Sequence, residues 1–463
     1  MRSVAGRLRQ LGDALNATLF ADAPRRTRSF GRGEYAVVIV SVLAIATFLG
    51  LLRLGLSVSL NSIWAEDGVV YLQLALVRSF GEAVFTPYAE YLSIVPRLIG
   101  EVATAVPIRY APAAFAISSA LLASLSGLAV WFAAGAHIRN PYLRGSLAAL
   151  TILCPTAGLE SLNSGAYITW FMLFAVFWLL LWRPPTWLGT TLSSLFILLT
   201  ALSNPGVWFY IPIAGLRTIA VRTRRDAMIV AAFWVGAIAQ APVVATHNEQ
   251  GAEPTWTADI WTAYLQRIVD AGVFGERLGG VFWEKLGWAI LIGMLVAVLV
   301  GVVAGWLRSG WGRRAVALAA IPTSLVMFIA VAYQREVGSA LIWHAGEWAT
   351  WASRYAIVPA LLLVSGLFAL LDGSLAGGRR AAATAPWAVA AAVIVAVVAI
   401  ATSFHQSVPG ARGEPRWDTA LETAARKCTG PVTEVPVKTS PPGFGVIVAC
   451  DKIPESLGGP PSG

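Results

Sequence analysis

Charge is what this chain has least of. Of its 463 residues 13% are Asp, Glu, Lys or Arg and 57% are hydrophobic, where soluble domains run near 25% charged and 45–50% apolar. That balance excludes a soluble globular domain. A signal peptide does not account for it, because apolar runs recur along the whole sequence. Three cysteines are too few for a disulfide scaffold. No Walker loop, dinucleotide fingerprint or nucleophile elbow is present, which argues against a nucleotide-driven cytosolic machine. The net charge of +9 is dispersed in short loops, so it serves membrane orientation and not nucleic-acid binding. No internal repeat is evident, which weakens transporter folds built from inverted halves.

The chain is expected to be an all-α polytopic membrane protein with about eleven spans. The first is Tyr35 to about Leu56, long enough for a hydrocarbon core of about 30 Å. The others cover roughly 111–136, 145–160, 162–182, 188–203, 206–221, 227–246, 286–306, 315–333, 354–371 and 387–403, and several are short. Residues 1–34 carry seven arginines. They read as a cytoplasmic segment, disordered in preference to an amphipathic surface helix. Clusters such as Arg222–Arg225 and Arg308–Arg314 fall on one side throughout, giving +14 inside and −5 outside. This satisfies the positive-inside rule, with the amino terminus cytoplasmic and the carboxyl terminus extracytoplasmic.

The expected domains are therefore the 1–34 segment, a transmembrane domain over 35–403 and an extracytoplasmic tail over 404–463. Outer loops fall at 57–110, 247–285 and 334–353. In the tail, two cysteines on the oxidising side, Cys428 and Cys450, are expected to pair, while Cys154 lies in a span.

Chemistry concentrates at the outer rim. Glu66 and Asp67 follow the first span, and ionised groups beside hydrocarbon are costly and tend to be functional. Consecutive side chains on a helix diverge by about 100°, so the two acids read as doing different work. One faces a cavity as a base, and the other pairs with an arginine or a metal. A solvated acidic loop that merely ends a span is the plain alternative. The loop continues as two expected interfacial helices, Val69–Phe80 and Pro87–Val106. The second holds Tyr91 and Arg97, and Pro96 would kink or break it.

Near the other end of the chain, His344, Glu347, Trp348 and Trp351 precede Ser353-Arg354-Tyr355, which opens a span. Arg354 either snorkels to headgroups or holds a phosphate. At another outer turn, Glu160 and Asn163 would share a face if the turn is helical. Metal is left undecided, with a divalent cation open as a cofactor on Glu66, Asp67, His344 or Glu347, at no spacing that resembles a closed zinc site.

With Trp64-Ala65-Glu66-Asp67-Gly68, the loop to Pro107 and the SRYAIVP stretch at 353–359, the arrangement resembles the GT-C superfamily of polyprenyl-phosphate-sugar-dependent glycosyltransferases. The resemblance covers the topology of about residues 35–403. It implies inverting transfer on the outer face, from a polyprenyl-phosphate-linked sugar to a glycan, lipid or protein acceptor hydroxyl. The lipid tail would lie among membrane lipids in a groove between spans.

In that picture Asp67 takes the acceptor proton, since the superfamily commonly uses Asp, and Glu66 orients an acceptor or a cation. Arg354 stabilises the departing phosphate together with Arg97, and Tyr91, Glu160, Asn163, His344, Glu347 and Tyr355 bind substrate. The tail departs from members that carry a large carbohydrate-binding domain. A transporter or flippase is the main competing reading. It predicts charges buried mid-span, and this sequence shows almost none. A structural or assembly membrane protein is the third.

Overall fold

Helices here begin and end where side chains can replace the missing backbone partners. Glu34 accepts from the Gly31 N–H at 2.9 Å to start the helix Arg32–Leu52. Asn140 accepts from the backbone of Tyr142 and Leu143 ahead of Pro141–Ile152. Thr186 and Asn204 do the same for Trp187–Ala201 and the short Pro205–Tyr210 helix. In the computed structural model of this chain, residues 4–22, 31–246, 256–335, 341–343, 352–375, 378–404, 414–429 and 431–453 are described.

Among the described residues seven helices are long and apolar enough to cross a membrane: Gly33–Leu52, Ile108–Ala136, Arg224–Thr246, Trp288–Arg308, Trp311–Gln334, Arg354–Leu375 and Pro386–Phe404. An eighth is counted if Trp187–Ala201 and Pro205–Ile219, bent by 119°, make one span. The difference from eleven lies in the middle of the chain. Pro141–Ile152 has 12 residues and Ile168–Leu181 has 14, or roughly 18–21 Å at 1.5 Å per residue. Those lengths fall short of a full bilayer crossing.

The short Ile168–Leu181 helix is the core. It is hydrophobic all round, and Leu173 to Leu181 are at most 2% exposed, as expected of a helix packed on every side by others. Arg354–Leu375 is also largely buried, whereas Gly33–Leu52, Trp288–Arg308 and Pro386–Phe404 present most of their apolar surface outward. Exposed apolar belts of that extent suit a hydrocarbon surround.

At one end of the bundle the helix termini are tied by ion pairs. Arg217 and Arg183 meet Asp226 at 2.9 and 3.2 Å, and Arg313 meets Asp372 at 2.7 Å. Basic residues that the sequence offered for orientation are here also structural.

The amino-terminal segment is not wholly irregular. Val4–Ala17 is helical, with Gly12, Asn16, Leu19 and Phe20 buried and the Arg217 guanidinium 5.1 Å over the Phe20 ring. Its buried residues are few, Gly12 and Asn16 within the helix and Leu19 and Phe20 past its end, so no apolar period announced it.

The outer loop also divides differently from the expected pair of helices. A π-helical turn Asp67–Leu72 runs into Gln73–Val77, followed by Phe80–Phe85 and Ile94–Thr104. Pro96 does not break the last of these, because it lies in the first turn, where no intrahelical N–H bond is lost. In the tail, Trp417–Ala425 precedes an antiparallel hairpin of β1 (Glu434–Thr439) and β2 (Phe444–Ala449), joined by a Cys428–Cys450 disulfide.

Candidate active site

Glu66 and Asp67 sit where the loop turns from Ala65, which has φ +35°, into the π-helix. Both face the turn at 165–167, with different partners. Asp67 is 1% exposed, and its Oδ1 and Oδ2 accept from the backbone N–H groups of Ala166 at 2.8 Å and Gly165 at 3.2 Å. Glu66 is half-buried and its Oε2 accepts from the Tyr167 hydroxyl at 2.7 Å. The close approach at Asp67 requires glycine at 165. A Cβ there would meet Phe115 Cδ1 at 3.0 Å and Asp67 Oδ1 at 3.2 Å.

Tyr167 carries the cluster onward. The Arg354 guanidinium lies 4.7 Å over its ring and 4.6 Å over that of Tyr355, within the range of a cation–π contact. Arg354 also donates from Nη1 to Glu160 Oε2 at 2.6 Å and from its backbone N–H to Glu160 Oε1 at 3.0 Å. Ser353 Oγ accepts from the Gly158 N–H at 3.0 Å and fastens the helix start to the same turn. Glu160 is 3% exposed, while the Arg354 side chain keeps 23% of its surface open. The paired carboxylate is thus sealed, while the cation, which also donates from Nη2 to the Tyr355 hydroxyl at 3.2 Å, stays partly open.

Tyr91 joins this group. Burial raises its hydroxyl to about 12, with Tyr355, Arg335 and Arg354 close enough to act on it. Glu90, beside it, reaches Arg335 at 3.8 Å.

Other expected site residues are placed elsewhere. Glu160 and Asn163 do not share a face, because the turn is not helical and Asn163 has φ +52°. Asn163 donates instead to Ser59 Oγ at 2.9 Å and to the Gly50 carbonyl at 3.3 Å. It helps line a cavity of about 20 Å³ with Arg53, Ser119 and Ser161, roughly the room one water needs.

Arg97 is buried, donates to the Val70 carbonyl at 2.9 Å and lies 5.1 Å over the Tyr71 ring. Those contacts brace the π-helix that carries Asp67. His344, Glu347, Trp348 and Trp351 lie outside the described residues. Among the described residues no group of three or more His, Cys, Asp or Glu could hold a metal ion.

Sequence reasoning gave no role to Tyr167 or Ser353 and missed a second buried polar group. In the second, Arg267 meets Glu276 at 3.0 Å, and Asp270 is fully buried with neither carboxylate oxygen hydrogen-bonded among the described residues. Burial raises both Asp270 and Glu276 to about 7. Tyr167 had a signal, namely its place two residues past the polar Asn163-Ser164-Gly165 turn. The Arg267–Asp270–Glu276 group, in a stretch with no apolar period, had none.

No family model matches the chain, and no curated protein matches it. Among solved structures it is similar to an archaeal oligosaccharyltransferase AglB from Archaeoglobus fulgidus in complex with an inhibitory peptide and a dolichol-phosphate. That similarity has 14% identity and a TM-score of 0.38, and covers 86% of this chain and 59% of that one. It is also similar to an Archaeoglobus fulgidus oligosaccharyltransferase in complex with zinc and sulfate, at 13% identity and a TM-score of 0.40, covering 84% of this chain and 55% of that one. The chain spans less than two thirds of the length of either.

Proposed function

We propose that this chain is a membrane glycosyltransferase that moves a sugar from a polyprenyl-phosphate donor to an acceptor hydroxyl on the extracytoplasmic face, with inversion. One observation supports this reading above the others. The hydroxyl of Tyr167 bonds Glu66 while its ring carries Arg354, so a carboxylate and a half-open guanidinium from distant parts of the chain lie one side chain apart. A sugar phosphate needs that pairing, a base for the incoming hydroxyl and a cation for the departing phosphate.

In the proposed step a carboxylate takes the acceptor proton. The acceptor oxygen bonds to the anomeric carbon on the face opposite the leaving group. The bond from that carbon to the phosphate oxygen breaks, and its electrons leave with polyprenyl phosphate. The exposed part of the Arg354 guanidinium meets the charge that develops there.

The geometry favours Glu66 over Asp67 as the proton acceptor. Asp67 has both oxygens occupied by backbone N–H groups and is closed to solvent. Glu66 is half-open and receives one hydroxyl. Asp67 then fixes the turn that presents Tyr167, Glu160 assisting by holding Arg354. Arg97 acts through the π-helix, and Tyr91 borders the donor phosphate. A divalent cation stays open, with Glu66 the accessible oxygen ligand. The flippase reading lacks comparable support, since the buried charges lie at helix ends and in outer segments.

The test is transfer of label from radiolabelled polyprenyl-phosphate hexoses and pentoses into membrane acceptors by the purified chain in nanodiscs. Binding of undecaprenyl phosphate is measured in parallel. Absence of both label transfer and undecaprenyl-phosphate binding across that panel would overturn the proposal.

A further inference from the structure

The acid motif is held from two sides, and the second side is the tail. Residues 414–429 and 431–453 fold as one small unit closed by the Cys428–Cys450 disulfide. Trp417 docks it by donating from Nε1 to the Ile108 carbonyl at 2.9 Å and from its backbone N–H to the Asn61 carbonyl at 2.9 Å. The hairpin then lies along residues 63–73.

The Ser440 N–H donates to the Ile63 carbonyl, and the Ala65 N–H donates to the Ser440 carbonyl. Gln73, one turn beyond the acids, acts as a substitute strand partner on β2. Its Oε1 accepts from the Ile447 N–H at 2.6 Å, and its Nε2 reaches the Ile447 carbonyl at 3.5 Å. Between these points the fit is tight enough that a Cβ on Gly68 would meet Thr439 Cγ2 at 3.0 Å.

Ala65 is the residue this contact explains. Its φ of +35° lies in the left-handed region that a residue with a Cβ avoids. Such a conformation persists only where the surroundings over-determine it. The Ser440 carbonyl on its N–H is that surrounding, and the turn it enforces aims Glu66 at Tyr167 and Asp67 at Gly165 and Ala166. We infer that the tail is a positioning clamp: Ser440 and Ile447 set the backbone of the acid motif through Ala65 and Gln73, and so the aim of the two carboxylates. The catalytic consequence rests on the transferase reading above, whereas the mechanical one does not.

The experiment uses the full chain in nanodiscs. Gln73→Met loses both bonds to Ile447, and the Cys428→Ser/Cys450→Ser pair loosens the unit itself. Amide exchange over 62–69 is expected to rise at least tenfold in both variants, with the membrane helices unchanged. With a radiolabelled polyprenyl-phosphate sugar that the parent turns over, kcat should fall by about 10- to 100-fold, the scale expected for misplacing a reacting group by about 1 Å. The donor KM should hold within about twofold.

Ala65→Gly, which adopts positive φ without strain, should recover part of the kcat lost in Gln73→Met. A purely structural tail would give no such coupling. Unchanged exchange over 62–69 while the hairpin 434–449 exchanges faster would overturn the clamp, as would a Gln73→Met loss that Ala65→Gly leaves untouched. If the double serine variant does not fold, Gln73→Met alone decides. If the parent transfers no sugar, the transferase reading fails and the exchange data still judge the clamp.

Discussion

Arg354 lies with its guanidinium 4.7 Å above the ring of Tyr167, and that contact joins two parts of the chain that the sequence presented as separate features. Tyr167 reaches Glu66 with its hydroxyl, and Arg354 reaches Glu160 with its fork. The row Glu66, Tyr167, Arg354, Glu160 alternates acid, neutral donor, cation and acid. Altering any member should change how the others are held.

The two carboxylates are expected to separate by stability. Glu66→Gln should lower sugar transfer by at least about 100-fold, the lower end of what a general base supplies, and Asp67→Asn by about as much through displacement of the acid motif. Glu66→Gln leaves the fold nearly as stable, since its partner is one half-exposed hydroxyl. Asp67→Asn exchanges a charged acceptor of two N–H bonds for an amide and should cost about 1.5–3 kcal/mol. Label transfer and thermal unfolding in detergent, run on both variants, check this. Equal melting temperatures would contradict the anchoring role of Asp67.

For Arg354 the informative variant is a pair. Arg354→Ala should raise the donor concentration needed for half-maximal rate about tenfold or more. It should also destabilise the protein by about 3–5 kcal/mol, because Glu160 is left buried without its cation. Adding Glu160→Ala should restore much of the stability and none of the donor affinity. A double variant that regains donor affinity would show that Arg354 acts only as the partner of Glu160.

Gly165→Val tests the close approach beneath the acids. Its Cβ would press on Phe115 and on the Asp67 carboxylate, and a small displacement at a reacting centre costs about 100-fold. Transfer should fall to that degree while the protein still inserts and melts cooperatively. Wild-type transfer by this variant would mean that the position of Asp67 is unimportant.

Asp270 gives the stability profile a sign. Burial raises its carboxyl to about 7 from an ordinary 3.8, so the folded state holds a proton that the unfolded state releases between those values. Stability therefore declines as pH rises from about 4 to about 7, then stays low. Asp270→Asn should melt higher than the parent at pH 8, by the equivalent of about 2–4 kcal/mol, and the gap should close by pH 4–5. Thermal unfolding across that range reads it directly. A gap that widens toward acid would mean that the carboxylate is ionised in the fold.

Much of the architecture was legible because a bilayer leaves the backbone few choices. Long apolar runs flanked by arginines located Gly33–Leu52, Arg224–Thr246, Trp288–Arg308 and Trp311–Gln334 within a few residues. A pair of acids just past the first run was conspicuous for its cost. Periodicity could not show that Pro141–Ile152 and Ile168–Leu181 stop short, since a buried half-length helix and a spanning one carry the same apolar pattern. The small tail fold was equally hidden. Its apolar residues alternate over six-residue strands, and its docking runs through the main chain of Ser440 and Ile447, whose identity the sequence does not advertise.

Hydrophobicity and the scarcity of ionisable groups already marked, along the sequence, which runs must leave water. Only the tertiary structure decided which acid meets which cation. Tyr167, Glu160 and Arg354 find one another through a non-helical turn between short helices and the first turn of a long one. Pairing of that kind depends on where backbones cross, and no local spacing encodes it.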